Sequence, residues 1–119
     1  MFKFTNNTFH VTNGDEGSIT FSSKDGSNLT GQFVFRIYEK NGFDSQPKYN
    51  KELALPGDTS SYVLTFNSSD TYDNFENPIN GKEEYWYELK IGGKTVLGYD
   101  ETGAKIFYLY PTGQDYKSK

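Results

Sequence analysis

The chain has 119 residues, a net charge of −4 and a pI near 4.9, with acids and bases scattered rather than blocked, which argues against nucleic-acid binding. It has no cysteine, which excludes a disulfide framework, a thiolate nucleophile and a thiolate metal site. Only 34% of its residues are hydrophobic but 18% are aromatic, so rings rather than aliphatic side chains have to fill the core of one domain.

In chain order, Met1 to Asn6 lacks the apolar stretch of a secretory signal, and no apolar run reaches the ~18 residues that span a bilayer. The chain is therefore expected to be neither exported by the general route nor bound to membrane. Phe9 and Val11 alternate with polar residues over 8–13, and Asn13-Gly14-Asp15-Glu16-Gly17 turns the chain. Ile19 and Phe21 then alternate over 17–23, which reads as an antiparallel hairpin whose two glycines supply positive φ. After a turn at Lys24-Asp25-Gly26-Ser27, the strand 32–40 alternates Phe33, Phe35 and Ile37 against Val34, Arg36 and Tyr38. The first set is expected inward, since Arg36 and Lys40 need water. A loop over 41–47 leads to a poorer strand, 48–53, whose lysines suit a sheet edge.

Pro56-Gly57-Asp58 makes a turn, and 61–66 alternates Tyr62, Leu64 and Phe66 inward. The segment 67–80 breaks the period of two. Ser68-Ser69-Asp70 suits a helix start, with one helical turn before Pro78 and Asn80-Gly81. The strongest strand, 84–91, sets Tyr85, Tyr87, Leu89 and Ile91 on one face and Trp86, Glu88 and Lys90 on the other. Gly92-Gly93 makes a tight hairpin into 94–97. A Gly- and acid-rich loop, 98–103, precedes the last strand, 105–110. Pro111 closes a single domain of 1–111, leaving 112–119 as an expected flexible tail. Short strands punctuated by turns, with at most one helical turn near 68–76, predict an all-β antiparallel sandwich of about seven to nine strands.

Little in this pattern carries chemistry. A phosphate loop leads into a helix, whereas Gly14-Asp15-Glu16-Gly17 leads into a strand. Neither Asp70, Asp73 and Glu76 nor Asp100 and Glu101 have the alternating spacing of a calcium loop. His10 is the only histidine and is read as an exposed strand residue, so a zinc site or a Ser-His-Asp triad lacks its parts. A glycosidase carboxylate pair needs a cleft that so small a sandwich rarely offers. No enzymatic activity, cofactor or metal is expected. The Asn-x-Ser/Thr triplets at Asn6, Asn28 and Asn67 are what a chain rich in these residues produces by chance. Tyr85, four residues after Gly81, occupies the place of a corner-locking tyrosine. Trp86, with Glu88 and Lys90 beside it, is the candidate interaction site, because an outward Trp can anchor a partner surface or a sugar ring.

The chain resembles the immunoglobulin-like N-terminal domains of bacteriophage baseplate upper proteins and their small stand-alone phage and prophage relatives. The resemblance rests on Phe9-x-Val11-x-x-Gly14-Asp15-x-Gly17-x-Ile19-x-Phe21, on Asp25-Gly26, and on Leu29-Thr30-Gly31 before Phe33-Val34-Phe35-Arg36-Ile37. It continues with Gly81, Tyr85-Trp86-Tyr87-Glu88-Leu89 and Phe107-Tyr108-Leu109-Tyr110-Pro111. These landmarks cover nearly the whole chain. The stretches through Pro47 and through Asn77 are longer than the family's, and the family continues into a long C-terminal part. The resemblance implies an immunoglobulin-like sandwich and a structural part of a phage or prophage tail or baseplate. Such a part would be assembled in the host bacterial cytoplasm and then carried in the virion. Its partners would be other phage structural proteins or further copies of itself. The alternative is a carbohydrate-binding sandwich module for cell-surface or cell-wall polysaccharide, which needs two or three coplanar exposed rings. A small secreted hydrolase or inhibitor is disfavoured by the missing signal and nucleophile.

Overall fold

The computed structural model describes residues 1–113 and is an all-β sandwich. Six strands form the path of the larger sheet: β1 (Phe2–Thr5), β2 (Thr8–Thr12), β9 (Lys105–Tyr110), β7 (Glu83–Ile91), β4 (Thr30–Glu39) and β5 (Tyr49–Pro56), in that spatial order. β8 (Lys94–Leu97) extends this sheet beside the C-terminal half of β7. The second sheet is the pair β3 (Gly17–Ser22) and β6 (Ser61–Phe66). One short helix, α1 (Ser68–Tyr72), carries the chain from β6 back to β7. Pairing is antiparallel throughout except between β2 and β9, which run parallel. No helix among the described residues is long and apolar enough to cross a membrane.

The expected hairpin over 8–23 is corrected: β2 and β3 lie in different sheets, so the turn between them is an arch across the sandwich. Turn residues fix where a chain bends, not whether it returns to its own sheet. Gly14 takes φ +88, but Gly17 already lies in β3 and is glycine for another reason. A Cβ there would stand 2.3 Å from the Phe2 ring, and one on Gly14 would stand 2.4 Å from Cζ of Tyr72. The arch is fastened by the Gly14 N–H, which donates to Thr71 Oγ1 at 2.6 Å, and by the Asn13 N–H, which donates to Tyr110 O at 3.0 Å.

β1 was not foreseen. Phe2 and Phe4 alternate with Lys3 and Thr5, and Asn6 and Asn7 at φ 52 and 63 turn the strand back onto β2. Asn tolerates this left-handed region because its amide can bond locally. The remaining boundaries hold closely. β5 is the edge strand expected, although it runs on to Pro56. Gly92 and Gly93, at φ 62 and 84, form the β7–β8 hairpin. Helix α1 is capped by Asn67, one residue before Ser68, with the Asn67 N–H donating to Asp70 Oδ2 at 2.7 Å. Thr112, placed in the expected tail, donates its N–H to Asn77 Oδ1 at 3.0 Å, and residues 114–119 lie outside the described residues.

Rings do fill the core. Phe9, Phe33, Phe35, Phe66, Phe75, Phe107 and Tyr87 are among its largest fully buried side chains. Phe66 of the small sheet stacks on Tyr49 at 5.3 Å and meets Phe9, Phe35 and Phe107 of the large sheet at 6.0–6.1 Å. Tyr87 fastens backbone through its Oη, which donates to Asn7 O at 2.5 Å. Tyr85 sets its ring edge-on to Phe75 at 4.8 Å. Phe66→Ala is expected to cost about 3–5 kcal/mol. Tyr87→Phe, which strands the Asn7 carbonyl, should cost about 1–2 kcal/mol. Urea unfolding with unchanged m-values checks both.

Candidate functional site

The outer face of the large sheet gathers Trp86 and the polar residues singled out with it. Alternation along β7 sends Glu84, Trp86, Glu88 and Lys90 outward while Tyr85, Tyr87 and Leu89 enter the core. Across the ladder, Trp86 stands opposite Tyr38 of β4 and Ile106 of β9, and Glu88 stands opposite Arg36.

Trp86 is half-buried, because two loops fold onto it. The loop after β4 brings Phe43 to 5.4 Å from the indole and 5.2 Å from Tyr38. The loop after β8 brings Tyr99 to 5.7 Å from the indole and 6.4 Å from Phe43. Sequence reading placed Tyr38 outward, and it does leave the sheet on that side, yet it is only 5% exposed because the Phe43 loop covers it. Its hydroxyl donates to Glu88 Oε1 at 3.3 Å, and burial, the first cause, holds the phenol above its usual value. The indole N–H donates to Glu84 Oε2 at 3.0 Å. Lys90 lies one outward position further along, with Nζ 4.0 Å from Glu88 Oε1, so it joins the group only through Glu88. Tyr99, 64% exposed, is the most accessible ring of the group. Phe43 and Tyr99 were missed, although an isolated ring in a Gly- and acid-rich loop is a signal that the loop lies down on something.

Beside these rings runs a polar groove of about 630 Å³, lined by Arg36, Tyr38, Asp44, Gln46, Asn50 and Glu52 among others. The Arg36 Nε–H donates to Asn50 Oδ1 at 2.9 Å, and Arg36 Nη2 lies 3.3 Å from Glu52 Oε1. The Asn50 amide, at 2.9 Å, and then the Arg36 guanidinium hold the Glu52 carboxyl below its usual range. The site thus offers half-exposed rings on one side and fixed, planar hydrogen-bonding groups on the other.

The other candidates serve local structure. Asp70 caps α1, and Asp100 accepts from Thr102 N–H at 2.9 Å and Lys105 Nζ at 2.9 Å. Among the described residues no three His, Cys, Asp or Glu side chains converge as a metal would need. His10 is half-buried rather than exposed, with Nδ1 2.8 Å from Tyr110 Oη. Burial first, then Lys3 and Lys82, lower its pKa.

No family model matches the chain, and no curated protein and no solved structure matches it either.

Asp100 clasps the loop that carries Tyr99. The Thr102 hydroxyl and then Lys105 hold its carboxyl down to about 2, below the ordinary 3.8. A depressed carboxyl stabilises its clasp above the ordinary value, and that contribution is lost as pH falls through the folded one. The emission of Trp86, the only tryptophan, is therefore expected to shift as pH falls from about 4 to about 2. Asp100→Asn should show the shifted emission already at neutral pH, and Glu84→Gln should retain the acid transition. Fluorescence titration of the three proteins checks this.

Proposed function

We propose that this protein is a non-enzymatic docking domain, a structural part of a phage or prophage tail or baseplate. It binds other virion proteins, or further copies of itself, through the outer face around Trp86. The observation that carries the reading is the cluster of Phe43, Trp86 and Tyr99, set over the buried Tyr38, on a sheet face whose core side is already filled. Rings left half-exposed and held rigidly by neighbours make good anchors, since little side-chain entropy is lost when they are covered. Glu84, Glu88 and Lys90 supply a polar rim around them. The baseplate assignment is supported by the landmarks quoted above, with Gly31 as one of them. Its φ is +90, and a Cβ there would stand 2.8 Å from Gly92 Cα, so β4 can begin only where a glycine lets it cross the β7–β8 turn. Such a domain would be assembled in the host cytoplasm before entering the virion.

A second reading, a carbohydrate-binding module, draws on the groove of Arg36, Asn50 and Glu52 beside the rings. The ring planes weigh against it. Phe43 and Tyr99 are inclined to Trp86 by 43° and 51° and to each other by 88°, so they form a cup rather than the flat platform a sugar chain lies on.

Light scattering on the purified protein, alone and mixed with a phage tail protein, is expected to give a defined assembly. Trp86→Ala combined with Tyr99→Ser should weaken that assembly by about 2 kcal/mol, roughly 30-fold, with unchanged circular dichroism. A protein that stays monomeric in both settings and binds cell-wall polysaccharide, with binding abolished by Arg36→Ala, replaces docking with the sugar reading.

A further inference from the structure

A second surface lies away from Trp86, at the side of the sandwich where the two sheets fail to close. The small sheet has only two strands, so β3 is paired with β6 on one edge and with no described strand on the other. β6 lies over β4 and β5, with Tyr62 4.4 Å from Phe33 and Phe66 stacked on Tyr49. β3 reaches across to the far edge, with Phe21 6.3 Å from Phe4 of β1 and 6.4 Å from Phe33 of β4. β8, in the large sheet, is likewise paired with β7 alone among the described strands. Between the end of β3 and β8 opens a groove of about 370 Å³, with Phe21, Leu29, Ile91 and Val96 on its walls and Lys24 and Lys94 at its margins.

We propose that this groove is a β-strand addition site for an extended segment of another polypeptide, apolar at every second residue and acidic beside the apolar run. The inference rests on the docking reading and names the mode and chemistry of a partner. Three features select that occupant. The first is the edge itself. The Ser23 N–H donates to Ser60 O at 2.9 Å, in register with the ladder, so the odd-numbered residues of β3 bond to β6. By the antiparallel alternation, Ser18, Thr20 and Ser22 present their N–H and C=O groups outward. A strand satisfies such a row, whereas a helix or a small ligand does not. Secondly, β3 carries no charge and no proline, whereas the edge strand β5 carries Lys51, Glu52 and Pro56, the usual devices against pairing. Thirdly, the walls are apolar while the margins are basic. Val96 is 51% exposed, and neither Lys24 nor Lys94 forms a salt bridge among the described residues of a chain whose net charge is −4. Alternate apolar side chains would enter the groove and carboxylates beside them would meet the two lysines.

The probe is a synthetic peptide of alternating Val and Thr with Glu at both ends, titrated into the isotope-labelled full chain. Saturable binding is expected, with shifted resonances and slowed hydrogen exchange at the amides of Ser18, Thr20 and Ser22. A peptide with Pro in place of the central Thr should not bind. Val96→Glu, at a position exposed enough to leave the fold intact, should weaken binding by roughly tenfold or more, as should Lys94→Glu. Trp86→Ala should bind the peptide as the wild type does. Failure of the alternating peptide to bind overturns the proposal, and so does binding that leaves these edge amides unprotected or ignores Val96→Glu. Self-association blocked by Val96→Glu would assign the groove to a second copy and overturn it too. Because Trp86→Ala and Val96→Glu act on separate surfaces, loss of one effect with retention of the other shows which reading has failed.

Discussion

Phe66 is where the two sheets are fastened together, and most of the molecule depends on that contact. One ring from the two-stranded sheet reaches Phe9, Phe35, Tyr49 and Phe107, which come from four different strands of the larger one. A sandwich with so few aliphatic side chains has no spare apolar volume with which to replace it. Rings are large and rigid, so they tolerate little displacement, and the backbone has to yield instead. Gly14 and Gly17 show this: each sits where a ring lies directly on the main chain. The arch between β2 and β3 is therefore shaped by the core it spans as much as by its own turn chemistry.

How far the sequence disclosed this architecture follows from which forces act locally. Alternation along β4, β6 and β7 is a local property, and it placed Phe33, Phe35, Ile37, Leu64, Phe66, Tyr87 and Leu89 correctly in the core. Sheet membership is not local. Gly14 and Gly17 mark a bend in the chain equally well whether the next strand pairs with the last one or crosses to the other sheet. The parallel pairing of β2 with β9 joins residues about a hundred positions apart and leaves no trace in either strand. β1 was legible in principle, since Phe2 and Phe4 alternate, but its turn uses Asn6-Asn7 rather than the usual glycine.

The candidate site was legible only at its centre. Alternation alone sends Trp86 and Glu88 to the outer face, and the structure places them there. What surrounds them comes from loops whose conformations depend on the sheet beneath. Phe43 and Tyr99 belong to segments that read as solvent-facing turns, yet both rest on Trp86. Tyr38 follows the strand's alternation outward and is buried all the same, because burial on an outer face is decided by what covers it. The periodicity of a strand specifies direction, and only the tertiary fold specifies exposure.

The parallel pair β2–β9 also brings residue 1 and the end of β9 to one rim. The Thr12 N–H donates to the Met1 carbonyl at 2.8 Å, and the Asn13 N–H donates to Tyr110 O at 3.0 Å, so the first residue and the end of the last strand share one rim. Tension applied to those two points would peel β1 from β2 and β9 from its neighbours one hydrogen bond at a time, the geometry in which a sheet yields at low force. A load that instead enters across the faces would set many ladder bonds in shear at once. The fold therefore resists load across its faces better than tension between residue 1 and Tyr110.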